Sequence, residues 1–453
     1  MVGKTLDTAT AKVVKAAKDI KVDRLVHHAG NFVPVVITKG EGEPRSGGFV
    51  TFTTLYAAQA ALQMLHNETP YVMEVQEAPS PGDVFWRNVG MKADKRRLGR
   101  LYSITASAFL CFFWSIPTAF IASLTSVSSI KEELPKLGAT IDNYPWFEDV
   151  LFQLAPMLLL FLNEVLLPEF LKVFATWEGH VSSAIVEGSL FLKLSAFMII
   201  QTFFVSAISG SVLDELTRMI KAPDEIITLL STSLPSQSSY FVQIMFAATF
   251  LIQAIELLRL YPLACALVRR FVGPNATKKE RRKTWLYIYT LEEPPEFWHA
   301  ETFAQIQILY VMVLLVYAVI APFTACALFF CFLLLEAGYR YQFFHNYPTA
   351  FDTGGKLWYT FVQFVLASLL IAEITLAGLL TLKQSRYAGP AIAPLIVITV
   401  LFIMYINGRH SHVMKFLPTK DCIRKDQEHI KHGLTDYTFC KGEYLQPSLK
   451  KYR

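Results

Sequence analysis

The chain has 453 residues, of which 53% are apolar and 17% are charged. That balance excludes an ordinary soluble enzyme, because charged residues make up about a quarter of a typical soluble domain. The apolar residues fall into blocks of about 20, the length that a helix needs to cross a bilayer. The sequence therefore predicts an all-α polytopic membrane bundle. The net charge of +5 matters less than the places where the basic residues stand.

Residues 1–92 are more polar than the rest and predict a partial cytoplasmic α+β module followed by a linker. A helix with a lysine-rich face and short runs of alternating apolar residues indicate this class of fold. The predicted elements are a helix over 9–26, strands over 32–38, 48–53 and near 71–76, and an alanine-rich helix over 57–65.

Eight membrane spans are predicted in a domain over 93–407, which a tail over 408–453 follows. The stretch 303–344 would be about 60 Å long as one helix, twice the thickness of the hydrocarbon core. Pro322 stands near its midpoint and can break the helix, so we predict two spans there. The predicted spans are 101–126, 150–174, 190–212, 240–268, 303–321, 323–336, 361–382 and 391–406.

Basic residues set the expected topology. One cluster precedes the first span and another follows the fourth, and basic loops stay in the cytoplasm. With eight spans, both termini are then expected to be cytoplasmic. The two clusters consist of Lys92, Lys95, Arg96, Arg97 and Arg100, and of Arg269, Arg270, Lys278, Lys279, Arg281, Arg282 and Lys283.

The fourth span carries charged residues inside its apolar run. Gln253, Glu256 and Arg259 stand at positions i, i+3 and i+6, so they share one helix face. A charge at the centre of a membrane helix costs about 2.5 to 3.5 kcal/mol and usually faces a bundle interior or a water-filled path. Two interpretations stay open: the stripe lines a pore, or Glu256 and Arg259 neutralise each other. Pro262 is either a gating hinge or a static bend.

Other polar residues of the spans are weaker candidates. Asn163 and Glu164 on the second span, with Gln201 on the third, either line a pore or form contacts between helices. Glu164 is expected to face the bundle and to pair with Lys193. Glu178 and His180 offer two metal ligands without a third, which favours a structural contact in the loop. Gly210 is a candidate flexible point.

Several function classes lack support in the sequence. The chain contains no GxSxG sequence, no Walker glycine loop and no HExxH sequence, so we predict that it is not an enzyme. No cofactor and no metal site are expected. The segment 45–52 faintly resembles the RNP1 pattern of RNA-binding domains, but Gly47 stands where a stacking aromatic residue belongs. We therefore expect no nucleic-acid partner.

Segments distributed along most of the chain resemble the hyperosmolality-gated, calcium-permeable channel family, the OSCA/CSC-like proteins, which are distant relatives of the anoctamins. Together they cover about residues 45 to 445 in order. The segments are 78–88 (APSPGDVFWRN), 116–124, 177–180 (WEGH), 209–213, 234–241, 256–260 (ELLRL), 317–322, 339–342 and 354–358.

The resemblance implies an anoctamin-like fold and an ion channel opened by membrane tension or osmotic stress. It implies a pore in each subunit lined by the first five spans, a homodimer, and a site in the plasma membrane. The implied partners are membrane lipids and permeant calcium, potassium and sodium ions. Family members carry three further spans before the cytoplasmic domain, so we expect this chain to be a fragment or a shortened form.

Two other functions remain open from the sequence. Anoctamin-like bundles can expose a polar groove to lipid, which would make the protein a lipid scramblase. Some relatives are discussed as non-conducting trafficking factors.

Overall fold

A computed structural model describes residues 47–69, 73, 75–118, 162–205, 238–274, 276–281, 297–347, 352–383, 387–434 and 443–446. Within these ranges the chain is mainly helical and contains no β-strand. In chain order the α-helices are α1 (Leu55–Gln63), α2 (Trp86–Val89), α3 (Ala93–Phe113), α4 (Leu167–Trp177), α5 (Ser183–Phe197), α6 (Ser238–Leu258), α7 (Leu260–Phe271), α8 (Lys278–Arg281), α9 (His299–Thr302), α10 (Leu309–Ile320), α11 (Phe323–His345), α12 (Lys356–Leu382), α13 (Ala388–Lys415) and α14 (Thr419–Lys431).

Three π-helical segments widen the helices beside these elements. They are Leu162–Leu166 before α4, Met198–Val205 after α5, and Phe303–Ile308 between α9 and α10. Single π-turns inside helices are rare and often occur at functional sites. All three segments lie between Asp94 and Ser411, in helices that pack on one another.

The chain divides into two compact units. One unit comprises Met1–Ala93 together with His412–Arg453, and the other comprises Asp94–Ser411. In the first unit, the tail helix α14 packs on α1. The boundaries 1–92, 93–407 and 408–453 remain our prediction for the domains of the protein.

Seven helices of the described residues are long and apolar enough to cross a membrane. They correspond to the first and the third to eighth predicted spans, while the second predicted span lies partly outside the described residues. The seven are Ala93–Thr118, Ser183–Gln201, Phe241–Leu258, His299–Ile320, Phe323–His345, Lys356–Leu382 and Ala388–Ser411. The break predicted at Pro322 is confirmed, because α10 ends at Ile320, α11 begins at Phe323, and the two helices pack together.

The strand predicted over 48–53 is wrong. These residues have no regular secondary structure, and α1 begins just after them with Thr54 as its N-cap. A strand needs a hydrogen-bonded neighbour, whereas Phe49 is held by side-chain packing instead. Its ring stacks on Tyr444 at 4.5 Å between centroids and meets Trp86 edge-on at 5.7 Å. The strand predicted over 32–38 lies outside the described residues, as do several residues of the one near 71–76.

The core of the larger unit is built where α4, α5 and α10 meet their neighbours. Leu167, Leu171 and Ala175 recur every four residues along α4 and are fully buried. The residues that complete the centre of this core include Leu190, Phe191 and Leu194 of α5 and Met312, Val313 and Tyr317 of α10. Elsewhere, α6 packs mainly on α11, and α10 packs on α12. This packing fixes the helices that carry the polar residues described next.

Candidate ion-path site

The fourth predicted span is two helices joined at Arg259. Arg259 has φ 50° and ψ 44°, and it is the only described residue other than glycine with a positive φ. A left-handed conformation costs a non-glycine residue roughly 1 to 2 kcal/mol. The span predicted over 240–268 is therefore interrupted at this residue.

Pro262 is not where this helix breaks. It is the third residue of α7, in the first helical turn, where the backbone N–H groups have no partner within the helix. Leu263 N donates to Arg259 O at 2.9 Å, so the hydrogen bonding of α7 begins directly after the proline. Pro262 thus fits the start of a helix, and Arg259 is the residue at which the chain turns.

Side chains of α11 and the residues after it hold the end of α6. Gln342 Nε2 donates to the carbonyl oxygen of Glu256 at 2.6 Å, and Tyr347 OH donates to Glu256 Oε2. Asn346 Nδ2 in turn donates to Gln342 Oε1. Burial, reinforced by the hydrogen bond to Glu256, raises the pKa of Tyr347 above its usual value. The phenol therefore keeps its proton and remains a donor to the carboxylate.

Gln253 packs into the space left by a glycine. A Cβ atom added to Gly338 of α11 would lie 1.6 Å from Gln253 Oε1. The Gln253 side chain is buried, and its Nε2 has no hydrogen-bond partner among the described residues. Gln253 and Glu256 therefore both face α11, the sixth predicted span, which lies outside the five spans that the resemblance assigns to the pore.

Glu256 and Arg259 do not form the neutral pair that the sequence left open. Among the described side chains, no ion pair within 4.0 Å joins these two residues. The left-handed turn at Arg259 changes the helical spacing on which the i, i+3 pairing depends, and Tyr347 takes the place of the arginine at the carboxylate.

A second polar cluster joins α3, the end of α4 and α5. Ser103 Oγ and Ser189 Oγ each donate to Glu178 Oε1 at 2.9 Å, and Lys193 Nζ contacts the same oxygen. His180 Nε2 lies 2.9 Å from Glu178 Oε2. Burial raises the pKa of Glu178, but the hydrogen bonds from His180, Lys193 and Ser189 and the lysine charge outweigh it and lower the pKa to about 2.

This cluster contains the lysine that we predict to pair with Glu164. Lys193 pairs with Glu178 at the end of α4, and its pairing with Glu164 stays a prediction. The side chain of Glu164 is not described. Glu178 and His180 contact each other, and the described residues include no group of three side chains that could hold a metal ion. The absence of a metal site stays our prediction.

Asn163 connects three of the predicted spans. Its Oδ1 accepts a hydrogen bond from Trp114 Nε1 at 2.9 Å, and its backbone oxygen accepts one from Gln305 Nε2 at 3.3 Å. Gln201 is buried in the π-helical segment after α5. Gly210 lies outside the described residues. Asn163 and Gln201 thus lie inside the bundle, and whether ions pass them remains a prediction.

Sequence reasoning missed Glu187, the most deeply buried carboxylate among the described residues. Glu187 is 0% exposed, and its Oε1 accepts from Ala300 N at 3.1 Å and lies 3.5 Å from His299 Nδ1. Its Oε2 has no partner among the described residues. The predicted third span begins at 190, whereas in the structure Ser182 caps a helix that begins at Ser183. A serine N-cap was the available signal.

Near Glu187, a lysine before the third predicted span packs over a tryptophan ring in a cation–π contact. Lys172 Nζ lies 3.8 Å from the ring centre of Trp298 and 3.9 Å from Glu169 Oε1.

The described part of the larger unit is a helical, multi-pass membrane protein with ionisable side chains buried between its helices. Such residues inside a membrane domain often mark a path for ions or polar substrates.

Comparison with known proteins identifies the family. Residues 99–380 match the family model described as "Calcium-dependent channel, 7TM region, putative phosphate". Residues 6–88 match the model described as "Cytosolic domain of 10TM putative phosphate transporter". Because the first match covers more than half of the 453 residues, the chain belongs to the calcium-dependent channel family. The family resemblance found in the sequence is confirmed.

Curated relatives include hyperosmolality-gated Ca²⁺ permeable channels of Arabidopsis thaliana. Channel 1.3 is 28% identical over 391 residues, which cover 86% of this chain and 49% of the relative. Channel 2.1 is 26% identical over 385 residues, which cover 85% of this chain and 50% of the relative. Channel 1.4 is 24% identical over 448 residues, which cover 98% of this chain and 55% of the relative. The chain spans about half the length of the curated relatives it matches.

Proposed function

We propose that this chain carries the ion path of a calcium-permeable cation channel that membrane tension or osmotic stress opens. The carrying observation is the carboxylate of Glu256 at the break of a membrane-spanning helix, in a chain of the calcium-dependent channel family. Each subunit holds its own pore, and two subunits form a homodimer in the plasma membrane with both termini in the cytoplasm.

Carboxylate and amide oxygens provide the chemistry for the permeant ions. Calcium takes oxygen ligands from carboxylates, amides and water, and acidic side chains concentrate cations in a pore. Glu256 and Glu187 supply carboxyl oxygens within the bundle, and the side chains of Asn163, Gln201 and Gln253 supply amide oxygens. We propose that calcium, potassium and sodium ions pass between these groups. The acidic group nearest the cytoplasmic end of this path is Glu187, whose Oε2 has no hydrogen-bond partner among the described residues.

Opening requires the contacts of Glu256 with α11 and with Tyr347 to separate. These contacts are two side-chain hydrogen bonds, from Gln342 and Tyr347, which are easier to break than the packing of a helix core. Tension favours the conformation with the larger area in the membrane, so movement at Arg259 would couple tension to the exposure of Glu256. In this view Arg259 takes the hinge role that the sequence gave to Pro262 and Gly210.

Current recording in stretched liposomes tests the proposal. The chain is reconstituted and patched, and Glu256→Gln is compared with Glu336→Gln, which removes an exposed carboxylate elsewhere on the bundle. We expect stretch-evoked cation current in the unchanged protein, a severalfold smaller calcium conductance in Glu256→Gln, and little change in Glu336→Gln. Equal conductance in all three proteins would contradict the role of Glu256.

A lipid-flipping assay on the same liposomes separates the other two functions. Flipping of fluorescent lipid without current would identify a scramblase, and silence in both assays would agree with a trafficking factor. Either result would overturn the channel proposal for this chain.

A further inference from the structure

The tail helix α14 has one face that is fixed against its own unit. Asp426 accepts hydrogen bonds from Leu55 N at 2.8 Å and Tyr56 N at 3.0 Å, so it caps the first turn of α1. Cys422, one turn earlier, is 1% exposed. Leu417 N, just before α14, donates to Gln59 Oε1 at 3.3 Å. The orientation of α14 about its axis is therefore set by these contacts.

The opposite face of α14 is exposed and carries both basic and apolar residues. Its members recur three or four residues apart, so they share one face. Two large aliphatic side chains are exposed there, Ile423 at 43% and Ile430 at 64%. We call this set the basic face of α14; it consists of Lys420, Ile423, Arg424, Gln427, Ile430 and Lys431.

The chemistry of the basic face is that of a helix lying on an anionic bilayer. Such helices place apolar residues in the headgroup region and lysine or arginine beside the lipid phosphates. The face has three cations, and two carboxylates, Asp421 and Glu428, border it beside Arg424. Arg424 is paired with Asp421 at 3.0 Å, but both are largely exposed, and such surface pairs hold an arginine weakly. Arg424 is therefore available to a lipid phosphate.

The chain also keeps α14 close to a membrane helix in sequence. Helix α13 contains the last candidate span, which ends at Ser411, and α13 itself ends at Lys415. Three residues then precede α14. A peripheral helix so soon after a span has a bilayer surface within reach of its chain, whereas a soluble protein partner has to be supplied separately.

We propose that the basic face of α14 binds the surface of a bilayer that contains anionic lipid. The isoleucines enter the headgroup region, and Lys420, Arg424 and Lys431 contact lipid phosphates or carboxylates. Because Asp426 on the opposite face caps α1, this contact anchors the unit formed by the two ends of the chain to the membrane.

The test places an environment-sensitive fluorescent amino acid at Gln427 of the full chain in lipid nanodiscs. One set of discs contains phosphatidylcholine alone, and another contains added phosphatidylserine, each with a spin-labelled lipid as quencher. We expect strong quenching only with phosphatidylserine, and its loss at high salt, because screening weakens charge contacts at a surface.

Two neighbouring charge reversals provide the matched comparison. Arg424 belongs to the basic face, whereas Lys425 is exposed on a different side of α14. We expect Arg424→Glu to remove about half or more of the quenching and Lys425→Glu to leave most of it. Equal effects of the two variants, equal quenching in both lipids, or quenching that depends on protein concentration would overturn the proposal; the last result would indicate a second copy of the chain as the partner.

Discussion

Single residues hold this bundle together at sites where a carboxylate or an amide is buried. Glu178 gathers Ser103, Ser189, His180 and Lys193, and Glu187 receives the N–H of Ala300. Breaking a buried charge pair by removing one partner is more damaging than the pair is stabilising, because the remaining charge is left uncompensated. These residues therefore make the arrangement of α3, α4 and α5 sensitive to single changes.

Gly338 gives the first prediction at this scale. We expect Gly338→Ala to lower the stability of the detergent-solubilised protein by about 1 to 3 kcal/mol, because the new methyl group overlaps Gln253. The apparent midpoint of thermal unfolding measures the effect. Gly188→Ala is the matched control, since a Cβ there meets nothing within 4 Å. If Gln253→Ala fails to rescue Gly338→Ala, the overlap with Gln253 is not the cause.

The lowered pKa of Glu178 predicts a dependence of stability on acid. Its pKa falls from 4.5 to about 2 on folding, so its ionised form stabilises the fold above about pH 4.5. That contribution is lost as the pH falls toward 2. We expect the unfolding temperature of Glu178→Gln to be lower than that of the unchanged protein at pH 7, and the two to converge between pH 4.5 and 2. A constant difference across this range would contradict the assignment.

At the scale of elements, the joined helices α6 and α7 are the feature most relevant to function. Their turn depends on a left-handed arginine and on hydrogen bonds from Gln342 and Tyr347. Backbone strain of this kind costs about 1 to 3 kcal/mol and persists only where the surroundings enforce it. The turn is therefore a place where a modest force can change the shape of a membrane helix.

Two substitutions at Arg259 separate backbone strain from charge. Arg259→Gly and Arg259→Ala both remove the guanidinium, but only glycine adopts the left-handed conformation without strain. If opening straightens the helix, Arg259→Gly stabilises the broken form and raises the tension needed for half-maximal current above that of Arg259→Ala. The measurement is the pressure response of liposome patches. Identical thresholds in the two variants would show that the backbone at Arg259 does not move on opening.

For the whole molecule, the sequence predicts the membrane helices better than their interruptions and contacts. The length of the apolar blocks and the proline at position 322 are local signals. They predict seven of the described membrane helices and the break before α11. The left-handed Arg259 has no such signal, because glycine and asparagine are the residues that usually adopt this conformation. The partner of Lys193 depends on where α4 ends relative to α5, which only the packed structure determines.

The capping of α1 by Asp426 has a consequence for biosynthesis. The hydrogen bond from Leu55 to Asp426 joins residues 371 positions apart, with all the candidate spans that begin after α1 between them. At ordinary rates of translation the ribosome needs about 20 to 75 s to make that length of chain. Thr54 caps α1 locally, but the N–H groups of Leu55 and Tyr56 gain the carboxylate of Asp426 only after the last span has been synthesised. This long-range contact of α1 therefore forms late in synthesis.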